Sequence, residues 1–278
     1  YYYNREWVEA HQPLIFPRET PPLWDASMCG LLFRARTVSV DIFNHLKDSG
    51  ELEHAITCGV TDSQASTQLP LLICRGYNSG LDSIDAPDSL IRTLVLNGTP
   101  DHLRQIHWFY DQRIGKEIDE AESERIRAIW RLVMERFEVG EPEIRCEVIA
   151  YSSWLSLFDS IDSEIEGWML TIANNFGEGL HVESGLLDAL RHHVDDDPSI
   201  VGRILMRALE HSSFGLIFYK EKLRSIVECL FELEQGRSER WAESICNYYA
   251  ERHDHFLQDI FEKHHPGLSN DSDSLSDR

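Results

Sequence analysis

The chain has 278 residues and a formal net charge of −22. This acidity argues against a surface that follows nucleic-acid phosphates, because such binding needs concentrated Lys and Arg. No apolar run approaches the roughly 18 residues that a membrane helix needs, and no secretory signal is present. Six cysteines without a CxxC pair indicate buried, reduced thiols in a cytoplasmic protein.

The N-terminal part of the sequence predicts an irregular start followed by short helices. Residues 1–22 are punctuated by proline and lack periodicity, so we expect an irregular connection there. Residues 23–118 are expected to form an N-terminal helical subdomain, because short apolar stripes alternate with turn residues. One helix is expected to begin near Pro70. Another is expected at Pro100, where Thr99 supplies an N-cap acceptor before a proline.

Residues 119–267 carry the strongest helical signal, a series of apolar stripes separated by brief turns. The first stripe recurs at i, i+3, i+4, i+7, i+8 and i+11 and consists of Ile126, Ile129, Trp130, Val133, Met134 and Phe137. Later stripes centre on Trp168, Leu205 and Ile226. We expect these three side chains and Trp130 to be largely buried.

The spacing of the helix starts predicts a repeat. Starts near residues 142, 181 and 215 imply helix pairs that recur every roughly 35 to 40 residues, in the range of HEAT-type repeats. We therefore predict an all-α chain of stacked antiparallel helix pairs, a HEAT-like α-solenoid, with an irregular helical bundle as the alternative. Residues 268–278 are rich in Ser and Asp, and they predict a disordered acidic tail.

Thirteen histidines raise the question of a metal site. His253, Asp254 and His255 lie together, and His192 and His193 precede three aspartates. A helical metal-dependent hydrolase would need a further aspartate, and acids far enough along the chain from His253 and Asp254 lie only in the predicted tail. Adjacent histidines also point to different helix faces. We predict no catalytic, cofactor-binding or metal-binding residues and no cofactor, and keep His253, Asp254 and His255 as the alternative site.

Several short segments combine tryptophan or cysteine with aliphatic residues. They are Pro22-Leu23-Trp24, Cys29-Gly30-Leu31-Leu32, Ile129-Trp130 before Phe137, Trp154-Leu155, and the pair Arg240-Trp241-Ala242 and His255-Phe256-Leu257. This spacing resembles the helical C-terminal regions of large bacterial anti-phage defence proteins, which carry an amino-terminal sirtuin-type NAD-consuming domain or an NTPase domain. No catalytic motif of those families is present here.

The array and the resemblance together imply a non-catalytic scaffold. It would sense a protein partner or position an effector domain of the same longer chain, and the start at Tyr1 rather than methionine fits such a piece. The alternative functions are a helical metal-dependent hydrolase that uses His and Asp residues, and a structural subunit that forms homo-oligomers. We expect no membrane partner.

Overall fold

The structure is a computed structural model that describes residues 5–34, 39–178, 183–212, 219–233 and 240–266. Within these ranges the chain forms α-helices and two 3₁₀ helices, and it contains no strand. The prediction of an all-α fold is confirmed. Contacts divide the chain into two compact units, Tyr1–Val148 and Ile149–Arg278, whereas the sequence interpretation placed a boundary between residues 118 and 119.

The first unit is built from short helices that follow one another along the chain. They are α1 (Arg5–Ile15), α2 (Pro21–Arg34), α3 (Val40–Asp48), α4 (Glu51–Cys58), α5 (Ser63–Asn78), α6 (Leu90–Asn97), α7 (Pro100–Asp111), α8 (Glu120–Val139) and α9 (Pro142–Ile149). The last residue of α9 belongs to the second unit.

The second unit opens with a 3₁₀ helix where the sequence continues the apolar stripe of α9. Its elements are this 3₁₀ helix (Ala150–Leu157), α10 (Ser163–Asn174), a short 3₁₀ helix (Phe176–Glu178), α11 (Glu183–His193), α12 (Pro198–His211), α13 (Lys220–Leu233), α14 (Trp241–Ala250) and α15 (Gln258–His264).

Side-chain caps fix several helix starts. Thr99 Oγ1 accepts a hydrogen bond from the backbone N–H of His102 at 3.3 Å, and His102 Nδ1 accepts one from the N–H of Thr99 at 3.2 Å. This capping box satisfies two N–H groups that would otherwise lack an intrahelical partner. The start of α7 at Pro100 therefore agrees with the sequence-based prediction.

The prediction of an irregular segment over residues 1–22 is wrong for its described part. Residues Arg5–Ile15 form α1, and α2 already begins at Pro21. None of the described side chains of α1 is fully buried. The apolar residues Trp7, Val8, Leu14 and Ile15 recur two helical turns apart, so the segment carries a helical signal that the emphasis on its prolines overlooked.

The start of α5 also differs from the prediction. The helix begins at Ser63 rather than near Pro70, because Asp62 accepts a hydrogen bond from the N–H of Ala65 at 2.8 Å and caps an earlier start. Pro70 lies inside the helix and is buried. The predicted disordered tail, residues 268–278, lies outside the described residues.

Helices within each unit pack mostly on the second helix along the chain, and α2 packs on the third. In the first unit α2 packs on α5 and α5 on α7, while α4 packs on α6 and α6 on α8. In the second unit α10 packs on α12 and α12 on α14, while α11 packs on α13 and α13 on α15. Each unit thus contains two rows of helices.

Charged pairs link the row formed by α11, α13 and α15. Lys222 Nζ donates to Asp188 at 2.7 Å across 34 positions of sequence. Arg224 Nη1 donates to Asp259 at 2.8 Å across 35 positions. Both pairs join helices that are separated by one intervening helix in the chain. Pairs as exposed as these contribute about 1 kcal/mol or less each.

The core agrees with most of the predicted burial. Trp130, Leu205 and Ile226 are 0% exposed. Trp168 is partly exposed, so it is not the central core residue that its place in the stripe suggested. The largest fully buried side chain of the second unit is instead Trp154. Among the helices that the structure describes, none combines the length and the apolarity that crossing a membrane requires.

Close packing of α12 on α14 gives a testable prediction about two glycines. A Cβ at Gly202 would lie 2.4 Å from Trp241 Cγ and 2.5 Å from Trp241 Cβ. Because Trp241 Cβ is attached to the backbone, this clash can be removed only if α14 itself moves. We expect Gly202→Ala to lower the free energy of unfolding by about 1 to 3 kcal/mol. Urea-induced unfolding followed by circular dichroism measures this loss.

Gly167 in α10 provides the matched control. No atom lies within 4 Å of a Cβ built there, so Gly167→Ala should raise the free energy of unfolding by about 0.5 to 1 kcal/mol through helix propensity alone. A stabilising effect at both positions would show that α12 and α14 do not approach each other as closely as the structure describes.

Candidate functional site

A groove in the first unit lies beside the start of α2 and the end of α4. Its volume is about 540 Å³, within the range of about 300 to 1,000 Å³ that is typical of ligand pockets. We refer to it as the α2–α4 groove. It is lined by Arg18, Pro21, Pro22, Trp24, Asp25, His54, Cys58, Gly59 and Thr61.

The buried carboxylate of Glu51 holds the Trp24 wall of the groove in place. Its Oε2 accepts a hydrogen bond from Trp24 Nε1 at 2.6 Å. Its Oε1 accepts from Gln12 Nε2 at 2.9 Å and from Arg18 Nε at 3.1 Å. Glu51 is 2% exposed and Trp24 is 3% exposed, so these hydrogen bonds take the place of the hydrogen bonds to water that both groups lose on burial. The network fixes the indole, the guanidinium and the first turn of α4 together.

Arg18 is held at the groove by a second contact. Its Nη2 donates to the carbonyl oxygen of Ser49 at 3.0 Å. The next residue, Gly50, has φ +73°, and a Cβ there would lie 3.3 Å from Arg18 Nη2. Glycine is therefore favoured both by the left-handed backbone and by the close guanidinium. In the part of the chain that the structure describes, Arg18 Nη1 has no hydrogen-bond partner.

Asp25 places a carboxylate on the groove wall. Its Oδ1 accepts a hydrogen bond from the N–H of Thr61 at 2.9 Å, and its Oδ2 accepts a short one from Thr61 Oγ1. The Thr61 hydroxyl, followed by the Thr61 N–H, lowers the pKa of the Asp25 carboxyl below its ordinary value. Asp25 is therefore ionised at neutral pH, and its orientation is fixed by the turn after α4.

His54 and Cys58 are one turn apart in α4 and share a face of that helix. The distance from Cys58 Sγ to His54 Nδ1 is 3.4 Å, and the imidazole packs edge-on against Trp24 with ring centroids 4.5 Å apart. When the neutral thiol donates its hydrogen to Nδ1, the imidazole hydrogen is on Nε2. His54 Nε2 has no partner among the described residues, so it is a second available donor in the groove.

Cys58 brings a thiol to the edge of the groove. The residue is exposed and is the last of α4. All six cysteines are free, as the sequence analysis expected, but only Cys74 and Cys246 are buried. The groove therefore combines apolar walls with a guanidinium, an imidazole, a thiol and a carboxylate.

Exposed apolar side chains concentrate on the helices around this groove. Among the described residues, the large apolar side chains with high exposure are Trp7, Leu14, Leu23, Phe33, Val40, Trp108 and Val139. The first five lie on α1, α2 and α3. Leu14 is 77% exposed, Leu23 58% and Phe33 56%. Exposed apolar side chains on three consecutive helices are candidate contact residues, because a partner can remove their apolar area from water.

The alternative metal residues lie in the turn between α14 and α15. Both carboxylate oxygens of Asp254 accept from Lys220 Nζ, at 3.1 and 2.9 Å. His253 has φ 61° and precedes Asp254 in a tight turn. A smaller cavity of about 240 Å³ includes Asp254 and His255 in its lining. Within the described ranges, no three His, Cys, Asp or Glu side chains are placed to share a metal ion.

The other histidine pair is divided between the interior and the surface. His193 is 1% exposed, and its Nε2 lies 2.9 Å from the carbonyl oxygen of Leu155. Burial lowers the pKa of His193, so the ring is neutral and donates to that carbonyl. His193 therefore joins α11 to the 3₁₀ helix (Ala150–Leu157).

Sequence reasoning missed the α2–α4 groove. The four-residue spacing of His54 and Cys58 was a signal that could have placed the two residues on one helix face. The bond from Trp24 to Glu51 spans 27 positions and has no counterpart in local periodicity.

No protein-family model, curated protein or solved structure matches the chain. The class that the fold defines is therefore an all-α protein whose described residues contain an apolar groove with a few fixed polar groups. The function proposed for it depends on the geometry of those residues.

Proposed function

We propose that the chain is a non-catalytic, helical-repeat scaffold that binds a protein partner through α1, α2 and α3. The observation that carries this proposal is the concentration of exposed Trp7, Leu14, Leu23, Phe33 and Val40 on these three helices. Partner contacts commonly use such side chains, since their removal from water contributes about 25 cal/mol per Å² of apolar area.

The row packing supports the HEAT-like, α-solenoid interpretation of each unit. Helices such as α10, α12 and α14 stack in order, and neighbouring stacks hide stripes that a single helix cannot bury. In line with the resemblance to anti-phage defence proteins, the scaffold would act in the cytoplasm as the sensor part of a larger defence protein. The partner would then be a foreign protein or an effector domain of the same chain.

A triple variant tests the contact surface. We expect Leu14→Glu, Leu23→Glu and Phe33→Glu together to weaken partner binding at least about tenfold, equivalent to about 1.4 kcal/mol. Partners are captured from cells that contain the chain at its natural level. Binding of a captured partner is then measured by calorimetry with both proteins purified. These three residues are exposed, so the fold should tolerate the changes.

Val139→Glu is the matched control, because Val139 is 86% exposed but lies on α8. Equal affinities of the wild type and the triple variant would contradict the proposal. A stable homo-oligomer in light scattering that the triple variant abolishes would instead assign this surface to self-assembly. Stoichiometric metal and hydrolase activity that both disappear in His253→Ala would favour the enzyme alternative.

A further inference from the structure

We infer that the α2–α4 groove binds an extended, apolar peptide segment that carries one basic side chain. This inference rests on the proposed function, because it assigns a ligand class to a groove within the partner-binding region. It follows from three features of the groove: its walls, its available donors and its charge.

The walls suit apolar side chains of an extended chain. The rings of Pro21 and Pro22 are exposed and rigid, so binding against them immobilises little protein, and the buried Trp24 indole supports them. The cavity of about 540 Å³ provides room for side chains rather than for a single small ion.

The two available donors suit peptide carbonyl groups. Arg18 Nη1 and His54 Nε2 both belong to lining residues and have no partner among the residues that the structure describes. An extended segment presents carbonyl oxygens that need donors once water is displaced. Glu51 holds the Arg18 guanidinium in place, and the contact of 3.4 Å between Cys58 Sγ and His54 Nδ1 orients the imidazole ring, so both side chains are positioned before a ligand arrives.

The charge of the groove favours a basic ligand over an acidic one. Arg18 is compensated by Glu51 at 3.1 Å, and the carboxylate of Asp25 has no cationic partner in the described contacts. The site therefore has an excess of one negative charge. The net charge of −22 adds a field that attracts cations from a distance. A Lys or Arg side chain of the ligand can reach Asp25, which remains held by Thr61.

Three synthetic peptides test the inference with the full chain. The first is acetyl-Leu-Pro-Leu-Arg-Leu-Pro-amide, the second has Glu in place of Arg, and the third has Ser in place of every Leu. Calorimetry should show saturable binding of the first, and at least about tenfold weaker binding of the other two. Raising sodium chloride from about 50 to about 500 mM should weaken the first peptide, since charge attraction is screened.

Asp25→Asn tests the role of the carboxylate while keeping an acceptor for Thr61. This variant should bind the Arg and Glu peptides with similar affinity. Asp41→Asn is the control, because Asp41 is an exposed acid on α3 that does not line the groove. The control should retain the wild-type preference for the Arg peptide. A preserved preference in Asp25→Asn would contradict the assignment of Asp25.

Cys58 reports where the peptide binds. The exposed thiol lines the groove, so a bound peptide should shield it from iodoacetamide. A saturating concentration of the Arg peptide should slow alkylation of Cys58 at least about fivefold, as followed by mass spectrometry. Cys229 in α13 is the internal control and should react at an unchanged rate. No saturable binding, or binding without protection of Cys58, would overturn the inference. Loss of partner binding in the triple variant would still support the scaffold in either case, so the two proposals can fail separately.

Discussion

Replacing Trp154 with alanine is expected to lower the free energy of unfolding by about 3 to 5 kcal/mol. Trp154 is 0% exposed, and its indole lies against Tyr151 with ring centroids 4.5 Å apart. The 3₁₀ helix that carries both residues packs on α10 and α11, so the vacated volume cannot collapse without moving several elements. Urea-induced unfolding followed by circular dichroism measures the loss.

Two further tryptophans give a graded control. Trp168→Ala in α10 should cost less than Trp154→Ala, because Trp168 is already partly exposed. Trp108→Ala in α7 should change stability by no more than about 0.5 kcal/mol, since Trp108 is 51% exposed. Losses of similar size at all three positions would show that burial, as the structure describes it, does not determine the cost.

The contrast between Trp130 and Trp168 shows how far periodicity can predict a core. Both occupy stripe positions in the sequence, yet Trp130 is completely buried and Trp168 is not. Periodicity identifies the face of a helix that turns inward, but it does not say how much neighbouring structure covers each point on that face. For α8, packing on α6 contributes that cover.

Helix starts were predictable where a cap and a proline coincide. Thr99 and Pro100 define the start of α7 in the sequence and in the structure. At α5 the proline was misleading: Pro70 lies inside the helix, and the cap is Asp62. Proline is compatible with a helix interior when packing offsets its lost N–H, and Pro70 is buried among such contacts.

The α2–α4 groove could not be predicted because its polar groups are assembled by contacts between distant residues. Asp25 meets Thr61 across 36 positions, and Arg18 meets Glu51 across 33. A charged residue in an amphipathic segment is normally assigned to solvent, and Glu51 at the start of α4 shows no sequence feature that marks it as buried. Only the fold places Trp24, Arg18 and Gln12 around its carboxylate.

Replacing Glu51 with alanine is expected to lower the free energy of unfolding by about 2 to 4 kcal/mol. The change removes the acceptor of the Trp24 indole N–H, and Trp24 is buried. It also removes the partner of Gln12 Nε2 and Arg18 Nε. Glu51→Gln retains one acceptor oxygen for Trp24, so its loss should be smaller. The urea concentration at the unfolding midpoint of each variant shows which substitution destabilises the protein more.

Glu53→Ala is the matched control for this prediction, because Glu53 lies in the same first turn of α4 but is exposed. Both carboxylates lie near the N-terminus of α4, where they interact favourably with the helix dipole. Removal of either one should therefore lower the free energy of unfolding by a similar amount, about 0.3 to 1 kcal/mol, through this interaction. The difference between the two variants in free energy of unfolding then measures the contribution of the hydrogen bonds to the buried Glu51 carboxylate. Equal midpoints for the two variants would mean that the carboxylate does not hold Trp24 and Arg18 in place, and that the α2–α4 groove lacks its main support.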